Sequence, residues 1–197
     1  MVHFIFWRSI EDMEYLDVVD QNGDPTGEVV SRDTAHEKGI WHRTSHVWLV
    51  RIRDGKLQIL LQKRSKNKDS YPGCYDISSA GHIPAGVDYI PSALRELKEE
   101  LSVEAGAEEL VYCGQRHIHF EEEFHGRMFV DNQVSNVYLL WRNQDTFTIQ
   151  EEELSAVEWF DFDQCFEAIR DNRIPHCIYT EELLMVKRGA EQSKQNG

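Results

Sequence analysis

The segment Ala93-Leu94-Arg95-Glu96-Leu97-Lys98-Glu99-Glu100-Leu101 constrains this chain more than any other. At about 100° per residue, Ala93, Leu94, Leu97 and Leu101 fall on one side of a helix and can bury against a sheet. Glu96, Glu99 and Glu100 gather within about a third of the circumference beside that stripe. Three carboxylates on one face repel one another, and alternating charges would serve solubility better. A hard divalent cation resolves the repulsion: Mg²⁺ takes oxygen ligands, keeps several waters and bridges to substrate phosphates. A solvated acidic face is the competing reading of the same pattern.

The residues ahead of this helix favour the cation. Ser79-Ala80-Gly81-His82-Ile83-Pro84-Ala85-Gly86-Val87-Asp88 is a glycine-punctuated loop running straight into it. Asp88 suits the N-cap, Pro91 is tolerated in the first turn, and the helix is expected over about Tyr89 to Leu101. Two glycines let backbone N–H groups approach a phosphate. Strands are expected at Tyr15–Asp20, Glu28–Ser31, His46–Arg53, Leu57–Gln62, Tyr75–Ser79, Leu110–Phe120, Gly126–Val130, Val134–Trp141 and Glu158–Phe160. A short helix or turn is expected over Asp33–Lys38, and helices over Asp163–Arg170 and Thr180–Lys187. Hairpin-like runs of strands with helices between and after them predict a mixed sheet with helices on its faces, not a doubly wound parallel sheet.

Of 197 residues, 41% are apolar and 28% charged, which suits one globular domain with a continuous core. That domain is expected over residues 15–188, with an N-terminal arm at 1–14 and a disordered tail at 189–197. The net charge of −14 repels phosphate backbones and argues against a nucleic-acid polymer as partner. No apolar run approaches the roughly 20 residues that span a bilayer, so no membrane partner is expected. Met1 to Arg8 is apolar but lacks the basic start and cleavage site of a signal peptide. The four cysteines form no C-x-x-C pair and read as reduced thiols of a cytoplasmic protein.

Gly81-x5-Val87-x7-Arg95-Glu96-Leu97-x-Glu99-Glu100-x-Ser102-Val103 resembles the Nudix box, G-x5-E-x7-R-E-U-x-E-E-x-G-U with U a large apolar residue. The match holds at the first Gly, the whole R-E-U-x-E-E core and the final apolar position. Val87 stands where the box has its first Glu, and Ser102 where it has its second Gly. The wider chain is similar to the branch of that family containing isopentenyl-diphosphate isomerases and their hydrolase relatives. The resemblance is carried by His36, Trp41-His42-Arg43, Gln62-Lys63-Arg64-Ser65, Tyr71-Pro72-Gly73, Ser78-Ser79-Ala80-Gly81-His82 and Val130-Asp131-Asn132-Gln133-Val134.

The resemblance implies an α/β/α sandwich around a mixed β-sheet and hydrolysis of a diphosphate linked to another group. It makes Glu96, Glu99 and Glu100 ligands of Mg²⁺, with Mn²⁺ able to substitute. Glu96 and Glu99 would be catalytic, and Arg95 would orient the carboxylates. Arg64, Gly81 and His82 are the expected substrate contacts, Arg64 because its planar fork suits phosphate oxygens. The expected partner is a small-molecule diphosphate; a homodimer is compatible with the sequence. A non-catalytic binding module on the same fold is the alternative that Val87 and Ser102 favour.

The isomerases place a catalytic Cys two residues before the loop His and use a Glu-Asn-Glu stretch. Here those positions hold Ala80 and Asp131-Asn132-Gln133. Both proton-handling groups are missing, which argues against the isomerase. His36, His42 and His82 match histidines that hold a metal in the isomerases; hydrogen-bonded structural histidines are the other reading. His117 and His119 share one strand face, which is either pocket lining or sheet surface. A Glu from Glu121–Glu123 or Glu151–Glu153 is available as a further ligand or base.

Overall fold

The computed structural model describes residues 13–68, 70–124 and 126–195. The expected arm lies outside them up to residue 12. Period-two alternation builds the central sheet. In β3 (His42–Arg53), Val47 and Leu49 face one side and Trp48 and Val50 the other, all of them buried. β3 pairs antiparallel with β4 (Lys56–Arg64) and β6 (Ser79–His82), and in parallel with β8 (Arg127–Trp141). β7 (Val111–Phe124) and β8 make a long hairpin, while β5 (Tyr75–Asp76) and β9 (Leu154–Asp161) pair with β4. The result is a seven-stranded mixed sheet. Beside it lies a two-stranded sheet of β1 (Tyr15–Val19) and β2 (Pro25–Ser31), followed by helix α1 (Arg32–Lys38).

Helices cover both faces. Ala93, Leu97 and Leu101 of α2 (Tyr89–Leu101) pack on Val47, Leu49, Leu60, Tyr138 and Leu140. On the other face, α3 (Phe162–Arg170) and α4 (Thr180–Gln195) bring Phe162, Cys165, Leu183 and Val186 against Trp48, Val50, Ile59, Val137 and Leu139. This is the expected α/β/α sandwich. Each fully buried leucine contributes about 1.5–3 kcal/mol.

Several boundaries differ from expectation. β3 starts at His42 rather than His46. The strand expected over Tyr75–Ser79 is two strands, because the Ser78 hydroxyl interrupts it: it donates to Leu60 O (2.6 Å) and accepts from Leu49 N (2.9 Å). The segments 126–130 and 134–141 fuse into one strand. α4 runs on to Gln195, so residues 189–195 are helical rather than disordered. Gly189 lies so close to Cys113 that an added Cβ would fall 2.6 Å from its sulfur, and Ala190 is buried.

Ser102 caps α2 with φ 53° and ψ 33°, the left-handed conformation that glycine adopts without cost. Ser102→Gly is therefore expected to stabilise the protein by about 0.5–1 kcal/mol, raising Tm by roughly 1–4 °C. A melting scan that shows an unchanged or lower Tm contradicts this account of the cap.

Candidate active site

Asp88 accepts a hydrogen bond from Tyr89 N and starts α2. The loop before it is clamped from β1 and β3. Asp17 accepts from Gly86 N (2.9 Å) and from Arg43 Nη2 (2.8 Å), and the same Arg43 nitrogen donates to Val87 O (2.7 Å). The loop is thus held through the backbone of Val87. Asp17 does not stand out in sequence, whereas Arg43 belongs to the Trp41-His42-Arg43 stretch that carries the resemblance.

α2 presents its carboxylates to a cavity of about 630 Å³, whose lining includes Gly81, Arg95, Glu96, Glu99, Glu100 and Glu153. Glu96 lies directly on Gly81, where an added Cβ would sit 2.4 Å from its carboxyl carbon, so the close approach requires glycine. Arg95 donates to Glu96 (2.5 Å) and, one turn on, to Glu99 (2.9 Å). Burial pushes the Glu96 carboxyl up to about 7 against the pull of Arg95. Burial pushes Glu100 up to about 8, and Glu96 adds to the effect. Glu99 is half-exposed. Glu100 Oε2 is buried and makes no hydrogen bond of good geometry; the equally buried Ser79 hydroxyl lies near enough only to oppose the upward push of burial on the carboxyl. A buried carboxylate oxygen without a protein partner, beside two more carboxylates, makes an oxygen-only donor set. That fits Mg²⁺ or Mn²⁺.

Arg64 also lines the cavity, but its fork is engaged. It donates to Asp76 (3.0 Å) and through Nε and Nη2 to Ser70 O (3.1 and 2.9 Å). In this arrangement it clamps the loop after β4 instead of offering a free charge. Lys68 pairs with Glu153. Glu122 accepts from the Tyr71 hydroxyl (2.5 Å), so of the two acidic runs it is the second that reaches the carboxylates, through Glu153.

His82 lies against His36, Nε2 to Nε2 at 3.2 Å, and stacks on His42 with ring centroids 5.2 Å apart. Burial lowers all three imidazoles, His36 to about 3 and His42 to about 4, which keeps them neutral. His42 Nδ1 contacts Ile40 O at 2.8 Å, a bond in which only the ring can donate, so the Nε2 lone pair faces Asp131 Oδ1 at 3.4 Å. Neither of these two atoms has a hydrogen-bond partner. Three ligand nitrogens within 4.8 Å of one another, beside an orphaned carboxylate oxygen, suit a transition-metal ion. His117 and His119 are absent from the cavity wall. Their strand neighbours Ile118 and Phe120 line it instead.

Gln133 and Asp131 are joined, Gln133 Nε2 donating at 2.6 Å, and Thr44 donates to Gln133 Oε1 at 3.2 Å. Ala80 pairs with His46 across β6 and β3. Sequence reasoning missed His46 and Glu182, which also line the cavity.

The fold and the carboxylate helix under a glycine loop define a Nudix-type domain. The family model described as NUDIX domain matches residues 42–181, and the chain belongs to that family, whose members generally hydrolyse pyrophosphate bonds. It is 33% identical over 178 residues to an uncharacterized Nudix hydrolase of Clostridium acetobutylicum, covering 89% of this chain and 82% of the relative. It is 38% identical over 159 residues to Nudix hydrolase 3 of Arabidopsis thaliana, covering 77% of this chain but 20% of that protein. Among solved structures, DR0079 of Deinococcus radiodurans superposes with a TM-score of 0.62 at 21% identity, over 88% of this chain and 98% of that one. No helix among the described residues is long and apolar enough to cross a membrane.

Proposed function

We propose that this protein is a Mg²⁺-dependent hydrolase of a diphosphate bonded to another group, in the manner of a nucleoside diphosphate derivative. The observation that carries the reading is Glu100 Oε2, buried and unpartnered beside Glu96 and Glu99 on the cavity wall. Glu96, Glu99 and Glu100 would hold the cation. Bound there, it would supply positive charge against the negative charge that develops on the diphosphate during hydrolysis. Arg95 fixes two of the three carboxylates, and Gly81 leaves room for Glu96. Glu99, the half-exposed member, or Glu153 across the cavity takes the proton of the attacking water. The imidazoles of His36, His42 and His82 with Asp131 form a second, nitrogen-rich cation site that ties α1 to β3 and β8.

Isomerase chemistry is not expected. Ala80 has no proton to exchange, and the Gln133 amide is held between Asp131 and Thr44. The test is a panel of nucleoside diphosphates, nucleoside diphosphate sugars and isoprenoid diphosphates, with phosphate or nucleotide release followed at varied Mg²⁺. Mg²⁺-dependent release from at least one member is expected. Tight binding without release would instead support the binding module, and interconversion of isopentenyl and dimethylallyl diphosphate would overturn the reading of Ala80 and Gln133.

A further inference from the structure

The cavity has a second polar wall, on the opposite face of the sheet from α2. His46 has the strand parity of Trp48, which packs towards α4. Its Nδ1 lies 2.9 Å from Oε1 of Glu182 on α4. Glu182 is 1% exposed and accepts three hydrogen bonds: from His46, from Trp48 Nε1 (2.7 Å) and from Arg116 Nη1 (2.6 Å). Burial alone would raise its pKa, but His46, Trp48 and Arg116 together bring it down to about 2. Glu182 is therefore ionised and saturated with donors. It fixes the His46 ring with Nδ1 bound and Nε2 free. Among the described residues Nε2 has no protein partner, and His46 lines the cavity.

Glu96, Glu99 and Glu100 approach the same cavity from the α2 face. One cavity thus holds both the carboxylates and His46, so a ligand whose phosphates meet the carboxylates has room to place its other group at His46. Four aromatic side chains, Tyr71, Phe120, Phe129 and Tyr179, also line the cavity. Phe120 and Phe129 stack with centroids 5.8 Å apart. They offer a platform for a planar ring, whereas His46 offers a hydrogen bond in either protonation state. An apolar chain in that position would strip water from the imidazole edge without replacing the bond.

We infer that His46, fixed by Glu182, reads the group carried on the diphosphate: its Nε2 hydrogen-bonds a polar moiety such as a nucleoside and disfavours an isoprenoid chain. Glu182 is a positioning residue. The inference rests on the diphosphate reading above and adds the element that selects among diphosphates. Sites that hydrogen-bond a substrate group discriminate strongly against analogues lacking it.

The test compares ADP, dimethylallyl diphosphate and inorganic pyrophosphate in Ca²⁺ buffer by calorimetry, with wild-type protein and His46→Phe. ADP affinity is expected to fall by about 10–100-fold in the variant. Dimethylallyl diphosphate should lose at least tenfold less, or gain. In ¹⁵N-histidine-labelled wild type, the His46 Nε2 resonance should move with ADP and stay within noise with pyrophosphate. Glu182→Gln should shift the Nδ1 resonance before any ligand is added and narrow the preference for ADP. Equal loss for both organic ligands, an ADP affinity within twofold of wild type, or a resonance that follows pyrophosphate equally would each overturn the inference. The resonance experiment needs no substitution and decides the matter should the Phe variant fail to fold. ADP binding through His46 with no phosphate or nucleotide release from any member of the diphosphate panel in Mg²⁺ would refute the hydrolase and leave this inference standing; release without a His46 response would do the opposite.

Discussion

Glu99→Gln is expected to lower kcat for diphosphate hydrolysis by about 10²–10⁴, the scale for losing a positioned electrostatic or acid–base group. Gln keeps the size and one carbonyl oxygen but removes the charge. Glu99 is half-exposed and lies off the apolar stripe, so the fold should survive with Tm within a few degrees of wild type. Its partner Arg95 retains Glu96. Leu97→Gln supplies the contrast. Leu97 is fully buried against the sheet, and placing an amide there should cost on the order of 4 kcal/mol. The measurement is paired: initial rates at saturating Mg²⁺, and Tm without metal. Full rate in Glu99→Gln, or rate lost only in step with Tm, would sink the catalytic assignment and leave a binding module.

The contrast between those two residues was legible in sequence because helical periodicity is local. α2 spans Tyr89–Leu101, as the apolar and acidic stripes require, and the apolar stripe does pack on the sheet. The first residues of β3 are not legible in sequence. His42, Arg43, Thr44 and Ser45 are all buried and all polar, so period-two alternation is missing there. Their burial is tolerated because β8 supplies partners, with Thr44 close to both Gln133 and Ser135. Long-range polar pairing hides from a linear reading for the same reason. His46 and Glu182 are 136 residues apart, and nothing near either one signals the other. Arg64 shows the converse: its position near the box is legible, but the bonds that occupy its fork come from Ser70 in the following loop and Asp76 on β5, whose approach only the fold determines.

Apparent Mg²⁺ affinity is expected to rise by about 10²-fold between pH 6.5 and 8.5, through the two buried members of the carboxylate face. Without a cation, burial holds Glu96 up at about 7 and Glu100 at about 8. Glu14, Asp76 and Glu153 reinforce this, and Arg95 opposes it at Glu96. Ligation requires the ionised forms, so Mg²⁺ competes with protons throughout that window. The sign for stability follows. Above about pH 4.5 these groups bind more protons in the folded than in the unfolded chain, so their contribution falls as pH rises through 7 and 8. Across pH 6.5 to 8.5 the two together lose about 3 kcal/mol. Neutral, buried His36, His42 and His82 work the other way, but chiefly below their ordinary value near 6.5. Glu182, lowered to about 2, matters only in acid. Mg²⁺ should therefore raise Tm more at pH 8.5 than at pH 6.5, and Glu100→Gln should remove most of that difference while raising the metal-free Tm at pH 8.5. Titrations of Mg²⁺ against Tm at both pH values decide the matter. Equal shifts, or a larger shift at pH 6.5, would mean that the cation is not held by carboxylates that burial keeps protonated.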